Sequence, residues 1–249
     1  MSRFPVDIIT VLGPTASGKT PFAARLAYDL GQAEIISADS RMVYRGMTIG
    51  SGKDLADYTV EGHEIPYHLI DICEAGYRFN VYEFQCAFQN AYMDITARGN
   101  LPIMCGGTGL YIESVLKSYE LGQVRFPERK SLTIGLKIDR DLRREKITHR
   151  LKTRLEEGMI DEVQTLLKYV SAERLIRYGL EYKYVTLYCI GQLSYEEMFR
   201  QLEIAIHQFA KRQMTYFRGM ERRGVPIHWI DAALSTEEKV NQICDLLNK

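Results

Sequence analysis

The 249-residue chain has no apolar run near the roughly 18 residues that cross a bilayer. Its start, Met1-Ser2-Arg3-Phe4-Pro5, lacks the apolar core of a signal peptide and leads straight into the first strand-like stretch, which predicts a cytoplasmic protein. Cysteine is scarce: Cys73, Cys86, Cys105, Cys189 and Cys244 are odd in number and never spaced C-x-x-C. That pattern argues against both a disulfide framework and structural zinc, leaving reduced, mostly buried thiols. The histidines, His63, His68, His149, His207 and His228, show no ligand spacing and read as structural or surface groups. Net charge is also missing: 32 Lys and Arg balance 32 Asp and Glu, so no global field recruits a polyanion. There are no repeats, low-complexity tracts or long linkers. The length fits a single domain with a substantial core, and a monomer is the default expectation.

Against that plain background stands Gly13-Pro14-Thr15-Ala16-Ser17-Gly18-Lys19-Thr20, which fits G-x-x-x-x-G-K-[ST]. The strand-like Val6–Leu12 precedes it and an amphipathic stretch follows it, the setting in which the motif binds phosphate. Glycines let successive N–H groups turn inward, and the next helix adds its positive end. Lys19 supplies a point charge. The Thr20 hydroxyl is the candidate Mg²⁺ ligand. Pro21 is compatible with a first helical turn, where its N–H is not needed.

Along the chain the pattern predicts strand Val6–Leu12, helix Gly18–Leu30, strand Glu34–Ser37 and a glycine-bearing loop region. Helix Val81–Arg98, strand Leu101–Cys105 and helix Leu110–Leu116 follow. Next come strand Leu132–Ile138, helices Asp141–Glu157, Glu162–Tyr169 and Tyr195–Met220, strand Ile227–Ile230 and helix Thr236–Leu247. Short apolar strands alternating with helices predict an α/β fold: a P-loop NTPase-like parallel sheet covered by helices, with a helical C-terminal part. Ligands of such sheets sit beyond the carboxyl ends of the strands. Three ends converge there: the P-loop, Ala38-Asp39-Ser40-Arg41 and Gly106-Gly107-Thr108.

A strand-end carboxylate in that crevice can hold metal or accept a proton, and both Asp39 and Asp71 are candidates. Residues 125–154 hold eleven Lys and Arg against four Asp and Glu, whereas residues 1–100 hold eight against twelve. This asymmetry fits a polyanion footprint and equally a solvated basic face. Tyrosines and Phe217 near 211–218 could stack on bases, but their helical spacing favours core.

The run Ile36–Lys53 resembles the segment after the P-loop in tRNA dimethylallyltransferases, also called tRNA isopentenyltransferases. His68–Ile72, Gly106–Tyr111, Asp139-Arg140 with Ile147 and Arg150, Glu157–Val163 and Ala210–Arg218 match in order. The resemblance implies transfer of a dimethylallyl group from dimethylallyl diphosphate to N6 of the adenosine 3′ of the anticodon in tRNA. It implies that Gly13, Pro14, Thr15, Ala16, Ser17, Gly18, Lys19 and Thr20 hold the diphosphate rather than ATP, with Mg²⁺ on Thr20. It makes Asp39 the general base, with Thr108, Lys19 and Arg150 also catalytic. It places tRNA against Asp39, Ser40, Arg41, Met42, Thr108, Lys183, Lys211, Arg212, Gln213 and Arg218.

The chain departs from that pattern at Tyr119–Lys130, a short connection where relatives carry a helical tRNA-gripping insertion. The expectation is therefore one P-loop α/β domain over 1–249, shortened at 119–130. Met42 stands for a usual Gln, and Ile206-His207 for a usual Thr-Arg. Three alternatives stay open: transfer to a free adenine nucleotide, a catalytically weak RNA-binding paralogue, and, more distantly, a nucleotide kinase using ATP.

Overall fold

The computed structural model describes residues 4–122 and 127–247. In chain order the elements are β1 (Ile8–Leu12), α1 (Lys19–Leu30), β2 (Ala33–Ser37) and a 3₁₀ turn at Leu55–Tyr58. A small hairpin, β3 (Thr59–Val60) with β4 (His63–Glu64), leads to β5 (Tyr67–His68), α2 (Val81–Ala97), β6 (Leu101–Gly106) and α3 (Gly109–Leu116). Then come β7 (Ser131–Lys137), α4 (Arg140–Glu156), α5 (Met159–Leu166), α6 (Ala172–Leu175), α7 (Leu180–Cys189), α8 (Tyr195–Arg222), β8 (His228–Asp231) and α9 (Thr236–Leu247).

Six strands form one sheet in the order β5-β2-β6-β1-β7-β8, and every pairing is parallel. Parallel strands need crossovers, so helices cover both faces. The register places Leu12 beside Gly106 and Gly135, which brings the P-loop and the Gly107–Thr108 turn to the same edge. Alternation along β1 sorts the core. Ile9 and Val11 pack with Phe22, Leu26 and Ile243, while Ile8 and Leu12 pack with Phe84, Phe88 and Ile112.

A third apolar cluster lies in the helical part. It joins Val43, Tyr44 and Met47 to Ile147, Val163, Tyr182, Leu202 and Ala210. The 28-residue α8 links the clusters. Its first half (Met198, Leu202, Ile206) packs in the helical cluster and its last turns (Phe217, Met220) under the sheet. At 1.5 Å per residue this helix is about 42 Å long. It starts at a capping box, where Ser194 and Glu197 each accept from the other's backbone N–H. Phe217 is fully buried, as its spacing predicts.

The long strands and helices fall where the periodicity puts them. The largest shift is in α5, which spans Met159–Leu166 rather than Glu162–Tyr169 and opens directly after Gly158 in the left-handed region (φ 99°). The sequence reading misses β5, the β3–β4 hairpin, α6 and α7. Two-residue strands leave no alternation to read. In α7 the buried set includes Glu181 and Thr186, which masks an apolar stripe. All five cysteines are free thiols. No described helix is long and apolar enough to cross a membrane. In the predicted connection, Leu121, Gly122 and residues 127–128 are exposed, and 123–126 lie outside the described residues.

Candidate active site

The P-loop turns sharply between β1 and α1. Gly18 adopts the left-handed conformation (φ 76°), as does Ala16 (φ 63°), and the Ser17 N–H donates to the Pro14 carbonyl at 3.3 Å. A β-carbon on Gly13 would lie 2.6 Å from Ser17 Oγ, so glycine makes room for the buried hydroxyl. Side chains hold this turn from the opposite wall. The Thr15 N–H donates to Gln213 Oε1 at 2.8 Å, and Gln213 Nε2 donates to the Gly107 carbonyl at 3.0 Å. One buried amide on α8 therefore ties the P-loop to the turn after β6.

That turn in turn fixes the Asp39 loop. The Thr108 N–H donates to the Ala38 carbonyl at 3.2 Å, the Ser40 N–H donates to Thr108 Oγ1 at 3.0 Å, and the Thr108 hydroxyl donates to Ser40 Oγ at 3.3 Å. A β-carbon on Gly106 would overlap the Ala38 backbone, so glycine permits this approach. Asp39 Oδ1 accepts from the Arg41 N–H at 3.0 Å, which aims the carboxylate into the cleft it lines.

The cleft itself, of about 280 Å³, lies over Thr15–Thr20 and is walled by Asp39–Met42, Thr108, Gln213 and one face of α4. Lys146, Arg150 and Arg154 recur every four residues on that face, the helical spacing that stacks side chains. Five cations (Lys19, Arg41, Lys146, Arg150, Arg154) share the lining with four carboxylates (Asp39, Asp54, Asp57, Glu181). Arg150 Nη2 donates to Asp54 Oδ2 at 3.1 Å, and Arg41 Nη1 donates to Glu181 Oε2 at 2.8 Å. Desolvation lowers the Lys19 pKa; Cys105 and Asp39 oppose the shift, and Arg150 and Arg154 add to it. Burial likewise lowers Arg154 to about 10, with Arg150 contributing further. The pocket thus crowds cations together and would favour an entering anion.

The structure gathers Thr15, Ala16, Gly18, Lys19 and Thr20 with Asp39, Ser40, Arg41, Met42, Thr108, Arg150 and Gln213 around one cleft, while the predicted Gly13, Pro14 and Ser17 stand outside its lining. Gln213 is buried, with its amide committed to backbone groups. Lys211, Arg212 and Arg218 are exposed on α8, outside the cleft lining, and half-buried Lys183 on α7 holds its ammonium 5.2 Å from the Tyr184 ring centre. Asp71 does not line the cleft; it pairs with the buried Lys53 ammonium. Within the basic segment, Arg125 lies outside the described residues. Arg129 is tucked over Tyr92 (4.3 Å) and Phe88 (5.6 Å), leaving it ill-placed to read phosphate.

Sequence reading misses Ser51, Gly52, Asp54, Asp57, Lys146, Arg154, Glu181 and Phe209, all in the lining. The four-residue spacing of 146, 150 and 154 is a signal that could have found two of them. Phe209, with Arg41 4.8 Å and Arg212 5.9 Å from its ring centre, gives none, because only the fold brings it there.

A glycine-bearing turn between a parallel strand and its helix, facing a cation-crowded cleft, defines a phosphate-binding P-loop α/β protein. Within that class, residues 42–131 and 120–220 match the IPP transferase family, and the chain belongs to it. It is 54% identical to tRNA dimethylallyltransferase 1 of Parabacteroides distasonis and 52% identical to tRNA dimethylallyltransferase 2 of Phocaeicola vulgatus. Each comparison covers 97% of this chain and 98% of the relative. Both alignments run over 301 positions, more than this chain's 249 residues, so those relatives carry residues with no counterpart here. The crystal structure of full-length tRNA isopentenylpyrophosphate transferase from Bacillus halodurans is similar with a TM-score of 0.85 and 27% identity, over 97% of this chain and 95% of that one. A eukaryotic dimethylallyltransferase seen acting on tRNA shares the fold at 18% identity, with a TM-score of 0.82, over 97% of this chain and 79% of that one.

Proposed function

We propose that the chain transfers a dimethylallyl group from dimethylallyl diphosphate to N6 of the adenosine 3′ of the anticodon in tRNA. The observation that carries this reading is the juxtaposition in one cleft of the P-loop, the α4 arginines and the Asp39 carboxylate. The P-loop takes the diphosphate. Lys19 and Arg150 offset its charge as the allylic C–O bond breaks and the electron pair leaves with oxygen, the kind of stabilisation that lowers a barrier most. N6 of adenine forms the new bond to that carbon, and Asp39 receives the N6 proton. Thr108 holds the Asp39–Ser40 backbone in place. The target base leaves its stack to enter the cleft, which an anticodon loop permits.

Mg²⁺ fits as an ion that arrives with the diphosphate. Among the described residues no group of three His, Cys, Asp or Glu side chains could cage a metal. Thr20 lines the cleft, and a hydroxyl with phosphate oxygens and water is the donor set Mg²⁺ accepts. The ion would supply further charge neutralisation on the leaving group. For tRNA, Ser40, Arg41 and Met42 at the cleft and Lys183, Lys211, Arg212 and Arg218 beyond it are the proposed contacts. One chain holds every group named, so a monomer suffices. A tRNA acceptor places the work in the cytoplasm.

The family match falls into two stretches that meet at 120–131, which supports a shortened segment there. This keeps a free adenine nucleotide as the second acceptor. The test offers labelled dimethylallyl diphosphate and Mg²⁺ with an anticodon stem-loop, with AMP, or with neither. Label in the stem-loop is the expected result. Label in AMP alone moves the assignment to the second acceptor. Tight RNA binding without transfer, or ATP consumption alone, rejects prenyl transfer.

A further inference from the structure

Arg154 is the most buried cation of the cleft without a matched partner. Its side chain is 10% exposed, and its Nη2 is buried with no hydrogen-bond partner. The Asp54 carboxylate approaches to 3.8 Å, beyond hydrogen-bond reach, and is itself half-exposed and bonded to Arg150 at 3.1 Å. A buried guanidinium that ends short of its nearest carboxylate is costly unless something else completes it.

What it faces identifies that something. Arg154 lines the main cleft with Lys19, Thr20 and Arg150, and a smaller recess beside it with Thr15, Ile147, Arg150, Leu151, Ile206 and Glu181, a carboxylate that partly offsets its charge but is already bonded to Arg41. Thr15 belongs to the P-loop, so the arginine opens toward the P-loop side rather than only toward solvent. The wall opposite is shaped for it as well. Gly52 sits in the left-handed region (φ 72°), and a β-carbon there would overlap the guanidiniums of both Arg154 and Arg150. Lys19, Arg150 and Arg154 thus meet where the P-loop opens: burial lowers the Lys19 pKa and both arginines add to that, while burial lowers the Arg154 pKa and Arg150 adds to it.

We infer that Arg154 is a second arginine of the diphosphate site, its guanidinium donating to the leaving group. The inference rests on the reading of this cleft as a prenyl-diphosphate site, and it adds a binding residue to it. A diphosphate carries more charge and more acceptor oxygens than a single phosphate, so a further guanidinium beside Lys19 and Arg150 serves it more. Arg154 therefore sets a preference for diphosphate over monophosphate.

Calorimetric titration of the protein with inorganic diphosphate and Mg²⁺, and separately with inorganic phosphate, tests this. Arg154→Met keeps an unbranched apolar stem and removes the guanidinium and its charge. It should weaken diphosphate binding by about 10- to 100-fold, the range of a charge-assisted hydrogen bond, and phosphate binding far less. Its Tm without ligand should be equal to or above that of the parent, because a buried charge with an unbonded Nη2 is gone. The rise in Tm that diphosphate gives the parent should be largely lost. Arg154→Lys, which keeps the charge with fewer donors, should fall between the two. If the parent binds no diphosphate, the prenyl-diphosphate reading itself fails. If the parent binds it and Arg154→Met binds it equally well, only the role of Arg154 fails. A Met variant with parental affinity and a lowered Tm would make Arg154 a structural partner of Asp54.

Discussion

Two side chains carry the clearest single-residue consequences. Asp39 accepts from the Arg41 N–H, and asparagine would keep that acceptor while losing the proton-accepting charge. Asp39→Asn should slow single-turnover transfer by about 10²-fold or more, the usual contribution of a general base, and leave diphosphate affinity intact. Unchanged turnover would remove the role. Gln213 makes a different kind of claim. Its amide serves the Thr15 N–H and the Gly107 carbonyl at once, and Gln213→Leu would leave the part-buried N–H and the buried carbonyl without that partner. The expected loss is about 1–3 kcal/mol of stability by denaturant titration, with a raised KM for dimethylallyl diphosphate. Sequence resemblance groups Gln213 with its exposed neighbours on the tRNA side. Only the packed structure turns it inward, because helical rotation, and not adjacency, decides what a side chain meets.

At the scale of elements, the loop after β2 is held by α5. Both oxygens of Glu162 are occupied: Oε2 accepts from the Thr48 and Ile49 N–H groups at 2.8 Å, and Oε1 from the Gly50 N–H at 3.0 Å and the Tyr182 hydroxyl at 2.8 Å. Three consecutive amides converging on one carboxylate form an anion nest filled from within the protein. Ser51 and Gly52, which line the cleft, follow directly. Glu162→Gln should cost about 1–3 kcal/mol, seen as a lowered denaturant midpoint with an unchanged slope, and should raise the donor KM with little change in kcat. An unaltered midpoint would show that the loop holds itself.

This clamp also marks the limit of what the sequence reveals. The P-loop, Asp39, Thr108 and Arg150 were legible because each lies at the end of a readable strand or on a matching motif. Glu162 lies in a matching run too, yet the three amides it holds are more than 110 positions away, and no local pattern encodes that distance. Likewise α7 delivers Glu181 to Arg41 and Tyr182 to Glu162, but its buried polar residues conceal the helix.

For the molecule as a whole, the sheet has its own electrostatic anchor far from the chemistry. Glu34 on β2 is 3% exposed, and it accepts from Arg98 at 2.7 and 2.9 Å, from Asn100 at 2.7 Å, and contacts His68 Nε2 on β5 at 2.7 Å. Burial alone would push its carboxyl up; the bonds from Arg98, Asn100 and His68 outweigh this and hold it down at about 2, from an ordinary 4.5. A depressed carboxyl stabilises the fold above its unfolded value and loses that contribution as pH falls toward its folded value. Stability should therefore decline between about pH 4.5 and about pH 2, and Glu34→Gln should be less stable at neutral pH with a flatter decline over that window. Thermal melts across the window check this, and parallel profiles for the two proteins would contradict it.

The longest helix gives the fold one more property. Because α8 is seated at one end among the helices and at the other beneath the sheet, it behaves as a beam fixed at two supports, with Gln213 as the bracket that meets the P-loop between them. Its outward side carries the exposed Lys211, Arg212 and Arg218, the contacts proposed above for tRNA. On the proposed reading, donor seat and acceptor grip are two faces of a single rigid member, so a substitution that tilts it should disturb both substrates together.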